Sequence, residues 1–227
     1  MGGSRPPASV RHGNAHGLPH GLQRALGLMM AVVSTPVVGA LAILVRLDSR
    51  GGALYIADRV GAGGQTFRLV KLRTMRVTGG QPGPGVSVGG DPRVTRIGRF
   101  LRRTRLDELP QLWHVVRGEM LLVGPRPEDP RFVDLMDPLH RRVFTAIPGI
   151  TGITQLAYSA EADLLDASDP EAHYRLAILP EKLQLDAEYL DRRSVGLDMW
   201  ILVQTVKTAA GHPPSALTIR ARLRGVG

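Results

Sequence analysis

Two adjacent carboxylates, Asp107 and Glu108, are the strongest indication of a catalytic site in this sequence. They follow a run of arginines and lie between two leucines, where a helix is predicted to begin. Glycoside hydrolysis needs two carboxylates on opposite sides of one bond, about 5 to 9 Å apart, and sequence neighbours are badly placed for that. Neighbours can instead share one Mg²⁺, or act as nucleophile and base at a phosphorus atom. The pair therefore predicts a site for phosphate and a divalent cation.

Positive charge is concentrated just before this pair. From Arg50 to Leu106 there are twelve Lys and Arg residues and two acids, whereas from Pro127 to His212 there are eight and fourteen. The net charge of +9 and the pI near 10.9 predict an anionic partner: a nucleic acid, an anionic lipid or a phosphorylated substrate. Aromatic residues make up only 4% of the chain. Nucleic-acid surfaces usually interleave aromatics with basic residues, so we expect no nucleic-acid partner.

The composition limits the kinds of architecture and site. The 227 residues suffice for one soluble domain and an anchor, whereas two full domains would be cramped. The absence of cysteine excludes disulfides and thiolate metal sites.

The positions of the predicted elements follow from hydrophobic periodicity and turn residues. Ala53–Val60 and Gln65–Leu72 predict a β-hairpin, and Val94 to Arg103 predicts a helix with one apolar and one cationic face. Leu106–Val116 predicts a helix with Asp107 as its N-cap and Pro110 in its first turn. Further expectations are a loop at 78–90, a strand at Met120–Val123, a tight turn at Pro148–Gly152, and helices at Pro180–Arg193 and Gly196–Ala210.

An uncharged segment of 21 residues, Ala25–Val45, has about the length that crosses a bilayer core. Pro36 follows Ser34 and Thr35 at its middle, where it removes a backbone donor and is expected to kink the helix. Arginines flank both ends, and positive charge marks the cytoplasmic side of a membrane segment. A plain spanning helix and a signal peptide are the alternatives, but the segment is longer than a usual signal core. A kinked helix that enters the membrane and returns through one leaflet would satisfy both observations.

Several motifs together resemble the bacterial sugar transferase family, the monotopic phosphoglycosyl transferases that load a phosphosugar onto a polyprenyl phosphate. The resemblance covers about Gly21 to Gly211. The motifs that carry it are Lys71-Leu72-Arg73-Thr74-Met75, the run from Asp91 to Arg102, Asp107-Glu108, and Pro125-Arg126-Pro127.

The resemblance implies a role for each motif. Asp107 would be the nucleophile that takes the phosphosugar from a UDP-sugar and releases UMP, and Glu108 would help to hold Mg²⁺ and to deprotonate the polyprenyl phosphate. Arg126, framed by two prolines, would bind a phosphate bidentately. The remaining substrate-binding candidates are Lys71, Arg73, Arg102, Pro125 and Pro127.

Three departures from the family pattern leave the sugar open. Leu72 replaces the usual aromatic residue after the lysine. Family members carry a Ser-Pro break in a re-entrant helix, and the matching pair here is Thr35-Pro36, so the resemblance implies a re-entrant helix broken at these residues. After Gly152 many relatives have aromatic residues leading to Asn-Gly-Arg, whereas this chain has Ile153 to Tyr158 in the order Ile-Thr-Gln-Leu-Ala-Tyr.

These observations predict an α+β protein with an N-terminal re-entrant membrane helix and a mainly helical cytoplasmic domain that carries a small β-hairpin. The expected parts are a flexible leader (1–21), the membrane helix (22–47), the catalytic domain (48–211) and a basic tail (212–227). The resemblance implies location at the bacterial inner membrane, with the catalytic domain on the cytoplasmic face, and a homodimer is left open. The alternative is a membrane-tethered basic protein that binds nucleic acid or anionic lipid without catalysis, and its binding would weaken steeply with salt.

Overall fold

Helices and two small sheets make up the structure, a computed structural model that describes residues 17–77 and 86–225. The α+β class expected from the sequence is confirmed. In chain order the elements are α1 (His20–Asp48), β1 (Leu54–Val60), β2 (Thr66–Leu72), α2 (Arg96–Thr104), a 3-10 helix (Leu106–Gln111), α3 (Leu112–Arg117), β3 (Leu121–Val123), α4 (Pro138–Phe144), β4 (Gly149–Thr151), α5 (Ile153–Ala157), α6 (Glu161–Leu164), α7 (Pro170–His173), a π-helical turn (Tyr174–Ile178), α8 (Leu179–Arg192), α9 (Val195–Ala209) and α10 (Ala216–Leu223).

Both sheets have two strands, and they differ in how well the sequence predicts them. The hairpin of β1 and β2 is confirmed, with antiparallel register from Leu54 opposite Leu72 to Val60 opposite Thr66. The strand predicted at Met120–Val123 is also present as β3. It pairs in parallel with β4, so the prediction of only a tight turn at Pro148–Gly152 is wrong. A side chain at Gly149 would meet the backbone nitrogen of Gly124 at 2.1 Å, so this pairing needs glycine.

The long predicted helices are confirmed as α2, α8 and α9. The prediction of one helix from Leu106 to Val116 is wrong, because a 3-10 helix precedes α3. The predicted N-cap is wrong as well: Asp107 lies in the first turn of the 3-10 helix, and Arg105 is the N-cap residue. Pro110 has no N–H for an α-helical hydrogen bond, which favours the tighter turn here. The region predicted as a basic tail contains α10, whose Ile219 and Leu223 are buried in the main core.

The main core lies between α3, β3, α5, α9 and α10. Met120, Val123, Ile153 and Ile201 are fully buried in it, and Leu197 is nearly so. The opposite side of α9 is exposed and carries Met199, Val203 and Val206. Helix α9 thus covers the core with one face and presents an apolar face outward.

The N-terminal half of α1 is fixed to the domain. The buried amide of Gln23 accepts hydrogen bonds from the backbone nitrogens of Leu122 (2.9 Å) and Val123 (3.2 Å), and thereby pairs with strand β3. The guanidinium of Arg24 donates two hydrogen bonds to the carbonyl of Val116, at 2.8 and 3.1 Å. Gly27 lies so close to Val115 that a methyl group there would approach its side chain to 2.7 Å.

The C-terminal half of α1 is fixed as well. Leu41 and Val45 pack into a small cluster with Leu72 and Leu101, and Asp48 accepts a hydrogen bond from the backbone of Ile97 at 3.2 Å. One stripe of α1 therefore contacts the domain near both of its ends, over a helix about 43 Å long.

Helix α1 continues through Thr35 and Pro36, where a break was predicted. Pro36 leaves the carbonyl of Val32 without its helical partner. At the neighbouring carbonyl, that of Ala31, the hydroxyls of Ser34 (3.2 Å) and Thr35 (2.7 Å) both donate hydrogen bonds. Side-chain bonds to a carbonyl three or four residues back accompany bends in helices.

The outward side of α1 is apolar. By length and composition alone, this helix could cross a membrane. Its large apolar side chains that are exposed are Leu22, Leu28, Met29, Met30, Val32, Val33, Val37, Ile43, Leu44 and Leu47.

Candidate active site

A strained turn places the two carboxylates. Arg105 has φ 59° and ψ 14°, and it is the one non-glycine residue with positive φ in the described ranges. A left-handed conformation costs such a residue of the order of 1 to 2 kcal/mol. The turn ends α2 and starts the 3-10 helix, so Asp107 and Glu108 follow within one turn of the last residues of α2. Strain at this point is consistent with a functional site.

Asp107 is buried among cations. Its exposed fraction is 5%, and within the described residues no hydrogen-bond donor contacts its carboxylate. Burial, followed by repulsion from Glu108, raises the pKa of Asp107 to about 6, while Lys71, Arg102 and Arg105 act against this. A carboxylate free of hydrogen bonds, close to positive charge and shielded from water is suited to nucleophilic attack at an anionic phosphorus.

Lys71 reaches the cleft from β2. Burial lowers its pKa to about 8, against the attraction of Asp107 and with a further lowering from Arg102 and Arg126. Its ammonium also lies 5.4 Å from the centre of the Tyr55 ring. The strand is held beside α3 because the Val70 amide donates to Nε2 of His114 at 3.2 Å.

Arg102 comes from the cationic face of α2. Its Nε donates to the hydroxyl of Thr74 at 2.9 Å. The helix can lie this close because residue 98 is glycine: a Cβ there would lie 2.0 Å from the Thr74 carbonyl oxygen. Gly98 is therefore needed to bring Arg102 to the site.

Arg126 lies opposite, in the turn between β3 and the following chain. Its guanidinium is 3.6 Å from the Glu108 carboxylate, and its backbone N–H favours the charged form of the buried Asp186, which lowers the pKa of that carboxyl. Asp186 also accepts a hydrogen bond from the Thr154 hydroxyl at 3.1 Å. Burial raises the pKa of Asp186 to about 7, against the effects of Thr154, Lys182 and Arg126.

A chain of polar groups that the sequence did not predict forms another wall. Lys182 donates to Glu161 at 2.6 Å and to the Tyr174 hydroxyl at 2.8 Å, and Tyr174 donates to Glu128. One sequence pattern could have indicated this wall. Lys182 and Asp186 share a face of α8 with the buried Leu179 and Leu183. Charged residues on an apolar helical face are buried with partners, and such residues often belong to sites.

These residues line one cleft of about 300 Å³. It brings together six of the predicted site residues: Lys71, Arg102, Asp107, Glu108, Arg126 and Pro127. Val86 and Ser87, from the predicted loop at 78–90, also line it, and residues 78–85 lie outside the described ranges. The sequence did not predict Arg59, Arg105, Glu128, Thr154, Gln155, Tyr158, Glu161, Tyr174 and Lys182, which are also part of the lining.

Two predicted substrate-binding residues do not line the cleft. The buried guanidinium of Arg73 donates to the carbonyls of Ser49 (2.8 Å), Arg50 (2.9 Å) and Gly52 (2.6 Å), and so fixes the chain that leaves α1. Pro125 accepts a hydrogen bond from Gly149 at 2.8 Å and belongs to the junction of β3 and β4. Both residues support the site from outside it.

The carboxylate pair also fits a hard cation. Within the described ranges, no three His, Cys, Asp or Glu side chains form a group that could hold a metal. Magnesium does not need such a group, because it is commonly held by one or two carboxylates, substrate phosphates and water. The repulsion of Asp107 by Glu108 is the kind that a shared cation relieves. Asp107 and Glu108 are the residues that could hold Mg²⁺.

Comparison with known proteins finds one family whose profile matches most of the chain. The profile of the family described as "Bacterial sugar transferase" matches residues 18–212. The chain is 34% identical over 194 residues to a UDP-N-acetylgalactosamine-undecaprenyl-phosphate N-acetylgalactosaminephosphotransferase of Aeromonas hydrophila, which covers 82% of the chain and 43% of that relative. It is 42% identical over 139 residues to a putative undecaprenyl-phosphate N-acetylgalactosaminyl 1-phosphate transferase of Bacillus subtilis, covering 59% of the chain and 74% of the relative.

A third relative differs in its sugar. It is a UDP-glucose:undecaprenyl-phosphate glucose-1-phosphate transferase of Caulobacter vibrioides, 34% identical over 203 residues, with 86% of the chain and 70% of the relative covered. The chain thus spans less than half of the Aeromonas relative and about 70% of the other two. Similarity of this degree extends across relatives named for different sugars.

Proposed function

Because the chain belongs to the bacterial sugar transferase family, we propose that it transfers a sugar 1-phosphate from a UDP-sugar to undecaprenyl phosphate and releases UMP. The observation that carries this proposal is the environment of Asp107. Its carboxylate is buried, accepts no hydrogen bond from residues 17–77 or 86–225, and is close to the positive charges of Lys71, Arg102 and Arg105. The names of relatives from three bacteria support the same reaction class.

The first step is attack by the Asp107 carboxylate on the phosphorus that carries the sugar. A bond forms between the carboxylate oxygen and this phosphorus, and the bond from phosphorus to the bridging oxygen breaks, so UMP leaves with that electron pair. Lys71, Arg102 and Arg126 lie where they can bind the diphosphate and offset its charge. The product is an aspartyl-phosphosugar intermediate.

The second step regenerates the carboxylate. A phosphate oxygen of undecaprenyl phosphate attacks the same phosphorus, and the bond to Asp107 breaks. The products are free Asp107 and a sugar linked to undecaprenyl diphosphate. Glu108, next to Asp107 and 3.6 Å from Arg126, is placed to take a proton from the acceptor phosphate.

Mg²⁺ would be held by Asp107 and Glu108 together with the substrate phosphates. When bound, it supplies positive charge that stabilises the phosphoryl group and the departing UMP. The residues of the chain orient the diphosphate and keep water out of a cleft in which Asp107 is 5% exposed.

The lipid acceptor requires a membrane. We infer that α1 enters the cytoplasmic leaflet of the inner membrane without crossing the bilayer, because it contacts one domain near both ends. A spanning helix would carry one end away from the domain to the other side of the bilayer. The arginines that flank it at both ends favour the same orientation. The reaction would then be the first membrane step in assembling an exopolysaccharide, an O-antigen or a glycoprotein glycan.

The test is UMP release by the purified protein with a panel of UDP-sugars, undecaprenyl phosphate and Mg²⁺. We expect turnover with at least one UDP-sugar and a loss of at least about a thousandfold in Asp107→Asn, because the amide is not nucleophilic. Asp58→Asn, a change of the same chemistry at an exposed position of β1, should retain full activity.

Mass spectrometry after mixing with UDP-sugar alone should detect one phosphosugar bound to the wild-type chain and none on Asp107→Asn. Undiminished turnover by Asp107→Asn would refute the nucleophile. If no UDP-sugar releases UMP, while salt-sensitive binding of anionic lipid or nucleic acid survives Asp107→Asn, the non-catalytic alternative is correct.

A further inference from the structure

A second cavity of about 360 Å³ lies between α1 and α9, beside the catalytic cleft. We call it the apolar groove. Helix α1 contributes Leu26 and Met30, and α9 contributes Leu202 and Val206. Leu109 and Leu112 form much of its floor. Such a surface binds hydrocarbon and offers little to a nucleotide or a sugar.

The apolar groove adjoins the cleft. Arg105, Glu108, Ile150 and Gln155 line both cavities. The inner end of the groove is therefore polar and lies next to Glu108, whereas its sides are formed by two helices whose outward faces are apolar and exposed. A molecule that fits both cavities has an anionic head and a long hydrocarbon tail.

The junction of the two cavities carries an unpartnered donor. Gln155 is 7% exposed, and no residue in the described part of the chain forms a hydrogen bond with its Nε2. Its Oε1 lies 3.2 Å from the Thr154 hydroxyl, whose single proton it shares with Asp186. A buried amide donor without a partner costs about 1 to 3 kcal/mol, so a ligand with an acceptor oxygen at this point would remove the cost.

Positive charge at the junction comes from Arg105. Within the described residues its guanidinium makes one long hydrogen bond, 3.4 Å to the backbone carbonyl of Gln155. The left-handed backbone at this residue fixes where the side chain starts. A guanidinium and an amide N–H side by side form a binding site for a phosphate monoester.

We propose that the apolar groove holds the first isoprene units of the polyprenyl phosphate acceptor, whose phosphate binds to Arg105 and Nε2 of Gln155 beside Glu108. This inference rests on the proposed function, because that function supplies the acceptor. A single chain fits one narrow groove that ends at a cation, whereas a diacyl phospholipid would bring a second chain and a headgroup to the same junction. The site places the acceptor phosphate next to Asp107, on the side of Glu108.

The absence of cysteine from the chain permits a binding test that does not depend on turnover. Val206→Cys places a thiol on the groove, and Val203→Cys places one on an exposed position of the same helix that does not line the groove. In detergent micelles, undecaprenyl phosphate without UDP-sugar should slow maleimide labelling at position 206 about fivefold or more, and leave the rate at position 203 unchanged. Dioleoyl phosphatidic acid at the same concentration should protect neither thiol.

A kinetic test uses the same pair of positions. Val206→Trp fills the groove with an apolar side chain and should raise KM for undecaprenyl phosphate about tenfold or more, a loss of about 1.4 kcal/mol in acceptor binding. Val203→Trp should change it less than about twofold. Gln155→Leu should raise the same KM, because it removes the unpartnered donor but keeps the volume.

The outcomes separate this inference from the proposed function. Equal labelling rates with and without undecaprenyl phosphate at position 206, in a protein that releases UMP, would refute the groove and leave the function standing. Equal protection by phosphatidic acid would also refute it, because the groove would then be a general lipid site. Protection at position 206 in a protein that transfers no sugar would support the acceptor site and refute the proposed function.

Discussion

The cleft and the apolar groove are neighbouring cavities of similar size with opposite chemistry. The cleft has Lys71, Arg102 and Arg126 around two carboxylates, whereas the groove is lined mainly by aliphatic side chains of α1 and α9. They share Arg105, Glu108 and Gln155. A water-soluble donor and a lipid acceptor therefore need not compete for one surface, because each can approach the same carboxylate pair from its own side.

The two cavities also differ in how their polar groups are satisfied. One wall of the cleft and the layer beneath it contain paired polar groups: Lys182 with Glu161, Tyr174 with Glu128, and Asp186 with Thr154. At the junction with the groove, Nε2 of Gln155 has no hydrogen-bond partner among the described residues. Paired groups hold the cleft in shape before substrate arrives, and the unpaired donor marks a place where a ligand completes the structure.

The largest difference between the cavities is expected from Arg126→Lys. Lysine keeps the charge but loses the planar pair of donors, so kcat/KM for the UDP-sugar should fall about a hundredfold. KM for undecaprenyl phosphate should change less than about twofold, because Arg126 lines only the cleft. Steady-state UMP release with each substrate varied in turn measures both values.

Arg142→Lys is the matched control for this change. Arg142 is exposed, pairs with Asp191 and does not line the cleft. It should leave both parameters at the wild-type value. An equal rise in both KM values in Arg126→Lys would show that the cavities do not act separately.

A smaller effect is expected from pH, and only on the donor side. The Lys71 pKa of about 8 means that the free protein loses this positive charge as the pH rises through that value. The value of kcat/KM for the UDP-sugar should therefore decline above pH 8, by up to about tenfold per pH unit, if the charged form alone binds. Lys71→Arg should move the decline to higher pH, because arginine stays protonated.

The control in this experiment is KM for undecaprenyl phosphate. Titration of Lys71 should leave it unchanged, because Lys71 does not line the groove. A decline at the same pH in Lys71→Arg would assign the titration to another group.

The smallest effect is expected on the free energy of unfolding, through Asp186 beneath the cleft. Burial raises the pKa of Asp186 from its ordinary 3.8 to about 7. The stabilisation from this proton is complete below the ordinary pKa and is lost as the pH rises through about 7. Between pH 6 and pH 8.5 the loss is about 1 kcal/mol, or a few degrees in Tm for a chain of this size.

Thermal unfolding in detergent at these two pH values measures the loss. Asp186→Asn carries no titrating group and should show a smaller fall in Tm over the same range. Leu202→Met, a conservative change in the apolar groove, should keep the wild-type pH dependence. An identical pH dependence in wild type and Asp186→Asn would refute this role of Asp186.

Local patterns were sufficient for the long elements and for part of the site. Periodicity located α8, α9 and the hairpin, and the cationic face of α2 placed Arg102 toward the carboxylates. Lys71 and Arg73 are two residues apart and would share one strand face. Strand β2 ends at Leu72, however, and the following residue turns away to the end of α1. No local pattern indicates where a strand of this kind stops.

The rest depended on contacts between distant segments. The parallel pair of β3 and β4 exists because Gly124 and Gly149 allow two backbones to approach closely, which the sequence alone presents as a turn. Tyr174 and Lys182 reach the cleft from segments more than sixty residues after Asp107. Asp107 was predicted to cap a helix, but Pro110 and the left-handed Arg105 made a 3-10 turn instead.

Helix α1 is bonded to the catalytic domain through Gln23 and Arg24 at one end and through Asp48 and the carbonyls held by Arg73 at the other. Inserting or deleting one residue between these points would rotate one end by about 100° relative to the other and break one set of bonds. The length of this helix is therefore set by the domain and not by the thickness of the bilayer. A chimaera that exchanges it for an anchor of another length should misfold instead of only changing its location.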